Sequence, residues 1–417
     1  MAVRDPPPTA DSFRSVTAPA ERVYTPRVLA VFGATLLYFG VAGVAFPVLP
    51  RLVERELGGT SGDIGLAFGV WALGMLVVRP VAGYLLDRVG RRPVMIVGAL
   101  VLVAAQLLHT PAARTGELWV LLLVRVLSGA ASAAMYLSQA TVATELPAAE
   151  HRDRVFALFS TVVLVGFAVG QVFGEIVMQA HGFTWAFALA AGFCGSTAIV
   201  AFFLPETRPA DAVPAARIGD LFHPIAARVG VVNMLVFVAF LGFNAFIADY
   251  GEEFGIEDAR WLLLTYSLVV MAMRAVSGRA FERFSRRWLA TFAHGTVIVG
   301  ALLLATASSV TSLYVAAAVL AVGLAWNVPL LILIAVDSAS DADRSRAVAT
   351  VTTFGDLANA LGTLALGFVA DAAGYDGMYV VVAGSAFAAV VLMRSRFLAG
   401  AAGMGPVAGR ARAAPRT

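Results

Sequence analysis

The chain has 417 residues, of which 59% are hydrophobic and only 14% are charged. Ordinary soluble domains carry roughly 25% charged residues, so this composition excludes a soluble fold. Apolar runs of about 18 residues or more recur along the chain, and each could cross the hydrocarbon core of a bilayer. The composition therefore predicts an all-α polytopic membrane protein.

All 30 basic residues are arginine, which excludes a Walker A loop and a lysine Schiff base. The five histidines show no metal-ligand spacing, and the single cysteine, Cys194, falls within an apolar run. No metal, no other cofactor and no catalytic residue is therefore expected, and an intramembrane enzyme is disfavoured. Because the arginines flank apolar runs, the lipid bilayer and not nucleic acid is the expected partner of this basic chain.

In chain order, we predict twelve spans in two groups of six between two disordered, cytoplasmic tails at 1–27 and 399–417. The first bundle, 28–204, has spans near 28–50, 62–83, 94–110, 117–141, 155–179 and 183–204. A polar cytoplasmic linker follows at 205–228. The second bundle, 229–398, has spans near 229–251, 260–281, 289–308, 311–336, 346–370 and 377–398.

The distribution of arginines predicts the orientation of these spans. With both termini inside, 23 arginines lie in the tails, in the inner loops or at the adjoining span ends, and only four lie in the outer loops. This split satisfies the positive-inside rule. We therefore expect both termini to be cytoplasmic, and the membrane to be a bacterial cytoplasmic membrane.

A charged pattern occurs twice, 195 positions apart, after the second and eighth spans. The first copy contains Arg79, Gly83, Asp87, Arg88, Gly90, Arg91 and Arg92. The second copy contains Arg274, Gly278, Glu282, Arg283, Ser285, Arg286 and Arg287, with serine in place of Gly90. A further set, Arg154, Gly170 and Gly182, matches Arg346, Gly362 and Gly374 at an offset of 192. The pattern predicts two pseudo-symmetric six-helix bundles, and such parallel repeats place the substrate site between them at mid-membrane.

The first copy resembles the signature loop of the major facilitator superfamily. Arg125-x-x-x-Gly129-x-x-x-Ala133 in span four and Pro205-Glu206-Thr207 after span six are similar to two further motifs of that family. The resemblance covers the chain from about residue 28 to 398. It implies that the chain is a secondary transporter, working as a monomer on a small molecule.

The residues of this loop could close the cytoplasmic side. Gly83 would let another helix approach span two closely, and Asp87 could meet the positive N-terminus of a facing helix. The resemblance implies that the facing helix is span eleven. Glu145, at the end of span four, is a further candidate for the same charge cluster. Alternatively, the arginines of the loop only enforce topology, and the same choice applies to the second copy.

Arg125 is expected to face a cavity or a partner, because an unpaired charge within a membrane span is costly. It begins a polar stripe in span four, which continues with Ser132, Tyr136 and Gln139. Gln171 and Glu175 follow in span five. We expect Arg125 and Glu175 to pair, or to exchange a proton or an anionic substrate. A static structural ion pair is the alternative.

Asp356 is the other candidate in the proton pathway. In span eleven, Thr352, Asp356, Asn359 and Thr363 share one helical face, and an acid within a span is a functional candidate. A hydrogen-bonded acid that fixes helix packing is the alternative. Further candidates for the cavity lining are Tyr38, Asn244 and Asn327, with helix packing as the competing interpretation.

These features favour secondary active transport by alternating access, and the first hypothesis is proton-coupled efflux of a drug or metabolite. Proton-coupled uptake is the second hypothesis, and a transporter-like sensor or receptor is the third. The pair Arg79-Pro80, with Arg79 four residues before Gly83, is similar to bacterial efflux-type and drug:proton antiporter members of the family. Two departures weaken an antiporter assignment without excluding it. Span one lacks an acid, and Gly170-Gln171 and Gly174-Glu175 stand where that branch has a Gly-Pro pair followed by two glycines. Sodium coupling and facilitated diffusion stay open.

Overall fold

The computed structural model describes residues 25–147, 151–208, 223–340, 343–398 and 401. Most of the two predicted tails and of the predicted linker therefore lies outside the described residues, as does the side chain of Arg154. The described part of the chain is helical, with these elements: α1 (Pro26–Leu57), α2 (Ser61–Val89), α3 (Arg91–Ala113), α4 (Leu118–Glu145), α5 (Arg152–His181), α6 (Phe183–Phe203), α7 (Pro224–Glu252), α8 (Arg260–Arg283), α9 (Arg286–Ala305), α10 (Val310–Asp337) and α11 (Arg344–Arg394).

Eleven helices of the described segments are long and apolar enough to cross a membrane. The last of them has 51 residues, more than twice the length of about 20 that one crossing needs. Gly374 divides it, since its backbone (φ 70°, ψ 176°) is not helical. Gly182, with φ 84°, separates α5 from α6 at the matching position of the first half. The prediction of twelve spans in two related halves is thus confirmed.

The helices alternate in direction, so their joints lie at two ends of the molecule. We call the end with the joints at 90, 146–151, 204–223, 284–285 and 338–343 the motif end, because both copies of the charged pattern lie there. The opposite end carries the joints at 58–60, 114–117, 182, 253–259, 306–309 and 374. Between the halves, α2 packs against α11, and α5 packs against α8. Each crossing joins the second helix of one half to the fifth helix of the other.

The α2–α11 crossing is tight near the opposite end and open near the motif end. A Cβ atom on Gly65 would lie 2.4 Å from the carbonyl oxygen of Thr363, and one on Gly367 would lie 2.3 Å from that of Ser61. At Gly83, near the motif end, no described atom of α11 lies within 4 Å of the position a Cβ would take. The two halves therefore touch at the opposite end and diverge toward the motif end.

Glycines also allow the close crossing of α1 and α5 within the first half. A Cβ on Gly170 would lie 2.0 Å from the carbonyl oxygen of Gly40. Because the obstructing atom is backbone, no side-chain rotation relieves the contact. A Gly170→Ala substitution should thus force the helices apart and destabilise the fold by at least roughly 1–3 kcal/mol, as overpacking does.

The midpoint of thermal unfolding and the monodisperse fraction of purified protein measure this loss. Gly192→Ala, in α6, is the matched control, because nothing lies within 4 Å of the added methyl group. Equal stability of the two variants would contradict the assigned crossing.

Candidate transport site

A cluster of charges around a buried ion pair of the first half joins the two halves near the opposite end. Arg51 of α1 donates from Nη1 to both carboxylate oxygens of Glu175 in α5, at 2.7 and 2.6 Å. Its Nε donates to Glu252 of α7 at 2.7 Å, and its Nη2 to the carbonyl oxygen of Glu257 at 3.2 Å. The side chains of Arg51 and Glu175 are both fully buried. Removing Arg51 would leave the buried carboxylate of Glu175 without a cation, which typically costs about 3–5 kcal/mol.

Two carboxylates also cap helices across the halves at this end. The Oε1 of Glu175 accepts a hydrogen bond from the backbone N–H of Ala259, the residue before α8, at 3.2 Å. The Oδ2 of Asp371 in α11 accepts from the N–H of Gly62, in the first turn of α2, at 2.9 Å, and from the Thr60 hydroxyl at 2.8 Å. Each acid thus meets the positive N-terminus of a helix in the other half. We call the Arg51 pairs and these two caps the opposite-end seal.

A second polar layer lies beside the seal, between α5 and the second half. Gln171 donates from Nε2 to Oδ1 of Asn244 in α7 at 2.7 Å. Its Oε1 accepts from the Ser267 hydroxyl of α8 at 3.4 Å. All three side chains are buried. Gln171 and Asn244, both predicted as pathway residues, therefore bridge the halves.

Arg79 and Asp356 form a further ion pair between the halves, on the side of the motif end. Arg79 of α2 donates to Oδ2 of Asp356 in α11, and its guanidinium lies 5.8 Å from the ring centroid of Tyr136. Their side chains are 22% and 20% exposed, in contrast to the fully buried Arg51–Glu175 pair. The structure thus pairs a basic candidate, Arg79, with an acidic candidate, Asp356, which the sequence identified separately.

The expected pair between Arg125 and Glu175 is wrong. Glu175 is taken by Arg51, because α5 packs against α1. Arg125 of α4 turns instead toward α2, where its Nε donates to the carbonyl oxygen of Ala67 at 3.0 Å. Its guanidinium lies 5.5 Å from the ring centroid of Phe68 and 5.7 Å from that of Trp71.

Other predicted pathway residues join helices within the first half. Tyr38 of α1 donates to the carbonyl oxygen of Ser132 in α4 at 3.1 Å. Gln139 of α4 donates back to the carbonyl oxygen of Ala34 in α1 at 3.3 Å. Tyr38 and Ser132 also line a small cavity beside Arg125. Tyr38 and Ser132 thus have both a packing contact and access to the cavity.

Two predicted residues of the second half have local partners. Asn327 of α10 bonds His294 of α9 and Asn233 of α7, each at 3.0 Å, inside the second bundle. The backbone carbonyl of Asn359 accepts from the Thr363 hydroxyl at 2.7 Å, while its side chain is partly exposed. Asn327 therefore lies in the packed interior, where it cross-links three helices.

At the motif end, the charged loop binds its own half. Arg91 donates to Glu145 at 3.0 and 3.3 Å and to the carbonyl oxygen of Leu86 at 2.9 Å. Asp87 lies 3.4 Å from Arg91, and none of its described contacts reaches α11. The expected contact between Asp87 and span eleven is thus absent in this conformation. Glu145 does lie within the loop's charge cluster.

The position of Glu206 explains why residue 90 is a glycine. The backbone of Gly90 has a φ of 116°. The Glu206 carboxylate accepts from the backbone N–H groups of Arg91 and Arg92 at 2.9 and 3.1 Å, at the N-terminus of α3. A Cβ on Gly90 would lie 2.5 Å from that carboxylate. Partial burial alone would raise the pKa of Glu206, but hydrogen bonds from the backbone amides of Arg91, Arg208 and Arg92 lower it below its usual range. Arg88 turns away and bonds the Tyr84 hydroxyl.

The second copy of the pattern reproduces the local contacts but not the cap. Arg286 donates to the carbonyl oxygen of Phe281 at 2.9 Å and lies 3.6 Å from Asp337, as Arg91 does with its partners. Ser285 replaces Gly90, and its own hydroxyl caps α9 by accepting from the N–H of Trp288. Ser285 thus takes the place of the Glu206 cap.

The remaining predicted residues of this copy make few described contacts. Nothing lies within 4 Å of a Cβ placed on Gly278, and the buried Nε of Arg274 has no hydrogen bond within the described segments. Over the same segments, the side chains of Glu282 and Arg283 form no ion pair. Within the described segments, Gly278, Glu282 and Arg283 thus show no contact that would hold the halves together at the motif end.

A profile of the Major Facilitator Superfamily matches residues 31–257 and 229–414. The chain belongs to this superfamily. Members of the superfamily are transporters that bind small molecules within the membrane, and the long apolar helices of the described segments are consistent with a multi-pass membrane protein.

Among superfamily members, the chain resembles bacterial resistance proteins. It is 27% identical to the multidrug resistance protein MdtL of Klebsiella pneumoniae over 60% of this chain and 63% of that protein. It is 30% identical to the class E tetracycline resistance protein of Escherichia coli over 41% of this chain and 42% of that protein. The chain spans less than two thirds of the length of these curated relatives.

Solved superfamily structures share the fold at low identity. The nucleoside transporter NupG has a TM-score of 0.73 at 13% identity, covering 89% of this chain and all of that one. The human organic anion transporter MFSD10 has a TM-score of 0.67 at 20% identity, covering 90% of this chain and 99% of that one.

Sequence reasoning missed several charged residues near the opposite end, three of which join the halves: Arg51, Glu252 and Asp371. The predicted first span ends at residue 50, which places Arg51 in an outer loop, and no motif points to Glu252. No motif points to Asp371 or to the buried Asp249 either. Neither carboxylate oxygen of Asp249 has a hydrogen bond within the described segments. The available signal was a basic pair, Arg51 and Arg55, on a side of the membrane that is otherwise poor in arginine.

The Glu206 cap predicts a pH-dependent stability. A lowered carboxyl pKa contributes stability above the usual value of 4.5, and this contribution is lost as the pH falls through the lowered value. Glu206→Gln should therefore destabilise the protein by about 1 kcal/mol at pH 7, as the loss of a helix cap does. The difference from wild type should shrink below pH 4.5.

Thermal unfolding of purified protein between pH 3.5 and 7 measures this difference, in a range where about 1 kcal/mol is resolved. Glu117→Gln is the matched control, because the Glu117 side chain caps nothing although it precedes α4. A Glu206 effect that is the same at both ends of the pH range would contradict the charge-assisted cap.

Proposed function

We propose that the chain is a proton-coupled exporter of a small organic compound that works by alternating access. It acts as a monomer in a bacterial cytoplasmic membrane, with the motif end and both termini on the cytoplasmic side. The arginine distribution supports this orientation. The similarity to multidrug and tetracycline resistance proteins supports efflux.

The Arg79–Asp356 pair is the observation that supports the coupling scheme. Its partners belong to α2 and α11, so the pair spans the interface that must change in alternating access. Both side chains are partly exposed, which gives protons a route to the carboxylate. Protonation of Asp356 would remove the charge that holds Arg79, and it would weaken the attachment between the halves at this point.

An antiport cycle follows from this arrangement. The described conformation is closed at the opposite end and open at the motif end, and there Asp356 is paired and holds no proton. The substrate enters from the cytoplasm in this state. After the halves rock to the outward-open state, the substrate leaves and Asp356 takes a proton from outside. Return to the inward-open state restores the pair with Arg79 and releases the proton inside.

The predicted cytoplasmic closure belongs to the other half of this cycle. In the described conformation, Asp87 pairs within its own loop, and no described atom of α11 approaches Gly83. Closing the motif end would bring the N-terminus of α11 toward Asp87, where the helix dipole favours a carboxylate. The opposite-end seal and the contact between Asp87 and α11 would then form in turn during the cycle.

Asp356→Asn tests the coupling, because it keeps the shape of the side chain and removes its charge. With one proton exchanged per neutral substrate, each pH unit supports up to roughly a tenfold accumulation, since one unit corresponds to 1.36 kcal/mol. Tetracycline accumulation in proteoliposomes with an acidic interior should approach this limit for wild type. For Asp356→Asn, it should fall to equal concentrations on the two sides.

Glu117→Gln is the matched control, since Glu117 is an exposed acid away from the interface. Gradient-driven accumulation that survives in Asp356→Asn would overturn the coupling role. Wild-type accumulation that requires an alkaline interior would instead identify a proton-coupled uptake system.

A further inference from the structure

Arg125 is a buried cation without a carboxylate among the described residues. Two other arginines, Arg51 and Arg91, are as deeply buried, and each forms an ion pair with a glutamate. Arg125 is only 3% exposed, yet the described residues give it one hydrogen-bond acceptor, the carbonyl oxygen of Ala67. An uncompensated charge within a membrane span is costly. A negative group from outside the chain would remove that cost.

The two acids predicted as pathway residues are not available for this role. Glu175 is bound by Arg51, and Asp356 is bound by Arg79. The charge of Arg125 therefore stays uncompensated in the conformation that is open at the motif end.

The Arg125 guanidinium is held in place for a ligand. The ring centroids of Phe68 and Trp71 lie 5.5 and 5.7 Å from it, and Ala67 fixes its Nε. The terminal nitrogens have no hydrogen-bond partner within the described segments. The side chain lines a cavity of about 30 Å³ beside Gln106 and Ser132, which offer further polar groups. This volume admits a water molecule or a small anionic group, but not a whole organic molecule.

A row of aromatic rings leads from this cavity into the second half. Phe68 stacks on Phe46 with ring centroids 4.9 Å apart. Phe46 contacts Phe167 of α5 at 5.1 Å and Phe240 of α7 at 6.2 Å, and Phe240 stacks on Phe237 at 5.0 Å. Phe167, Phe240 and Phe237 are only partly buried. The row therefore offers an apolar, aromatic surface across the interface, with a cation at one end.

We propose that Arg125 binds the carboxylate or sulfonate group of an aromatic organic anion whose rings lie along this row of phenylalanines. A guanidinium presents two parallel N–H donors that match such a group, and the aromatic row would accommodate the apolar part. This subsite deepens the proposed transport function and rests on it for the movement of the bound anion.

Equilibrium binding to the purified full-length wild type tests the subsite. The probes are 2-naphthoate and its uncharged isostere 2-naphthamide, measured by isothermal titration calorimetry in detergent. Naphthoate should bind roughly tenfold tighter or more than the amide, as expected for a hydrogen bond to a charged group. Naphthoate should also raise the midpoint of thermal unfolding, whereas sodium chloride at the same concentration should not.

Variants then locate the binding. Arg125→Gln should reduce the affinity for naphthoate to that for the amide. The control Arg114→Gln, which removes an exposed arginine, should keep the wild-type ratio. Phe68→Leu should weaken both probes and preserve their ratio, so the subsite stays testable if Arg125→Gln does not fold.

Equal wild-type binding of the two probes, an equal effect of chloride, or an unchanged ratio in folded Arg125→Gln would overturn the subsite. Asp356→Asn keeps the subsite and should bind naphthoate normally. The failure of the coupling scheme and the failure of the anion site are thus read from different variants.

Discussion

The ion pair between Arg51 and Glu175 is the interaction on which the described conformation depends. It is fully buried, it adds Glu252 from the second half, and Glu175 also caps α8. Both charges belong to the first half and each also binds the second half, so opening this end would cost both of them hydrogen-bond partners, and the cluster therefore favours the closed interface. The positions of the exposed Arg79–Asp356 pair and of the open motif end follow from this closed end.

Gene duplication explains why the closed end has two related caps. Residue 371 lies 192 positions after residue 179, the same offset that relates Gly182 to Gly374. Asp371 caps α2, and Gln179 at the related position bonds the carbonyl oxygen of Glu257 just before α8. The two halves therefore join by the same fifth-to-second helix contact. Divergence has moved the carboxylate of the first half by one turn, to Glu175.

The same divergence accounts for the unequal charged loops at the motif end. The first loop needs glycine because Glu206 reaches over Gly90 to cap α3. The second loop carries Ser285, whose hydroxyl caps α9 directly. The serine thus caps the N-terminus of α9 by a different contact. The absence of a glycine at this position is therefore not by itself a sign of lost function.

The sequence was sufficient for the spans and for the type of protein, because long apolar runs and a tandem motif determine both. It identified Arg79 and Asp356 as candidates but could not pair them, since pairing depends on how two distant helices rotate and cross. Arg51 was assigned to a loop because the predicted span ended at residue 50, whereas α1 continues to Leu57. The Arg125–Glu175 prediction was wrong because a similar depth in the membrane does not establish a contact between two helices.

The most direct test of this account is the distance between the halves at each end when the buried pair is broken. Spin labels at Glu117→Cys and Ser308→Cys report the opposite end, and labels at Val89→Cys and Phe284→Cys report the motif end, while the native Cys194 is buried. In Glu175→Gln, pulsed electron paramagnetic resonance should give a longer distance between the labels at positions 117 and 308 than in wild type. The distance between the labels at positions 89 and 284 should be shorter. Distances that are unchanged at both ends would show that the Arg51–Glu175 pair does not hold this conformation.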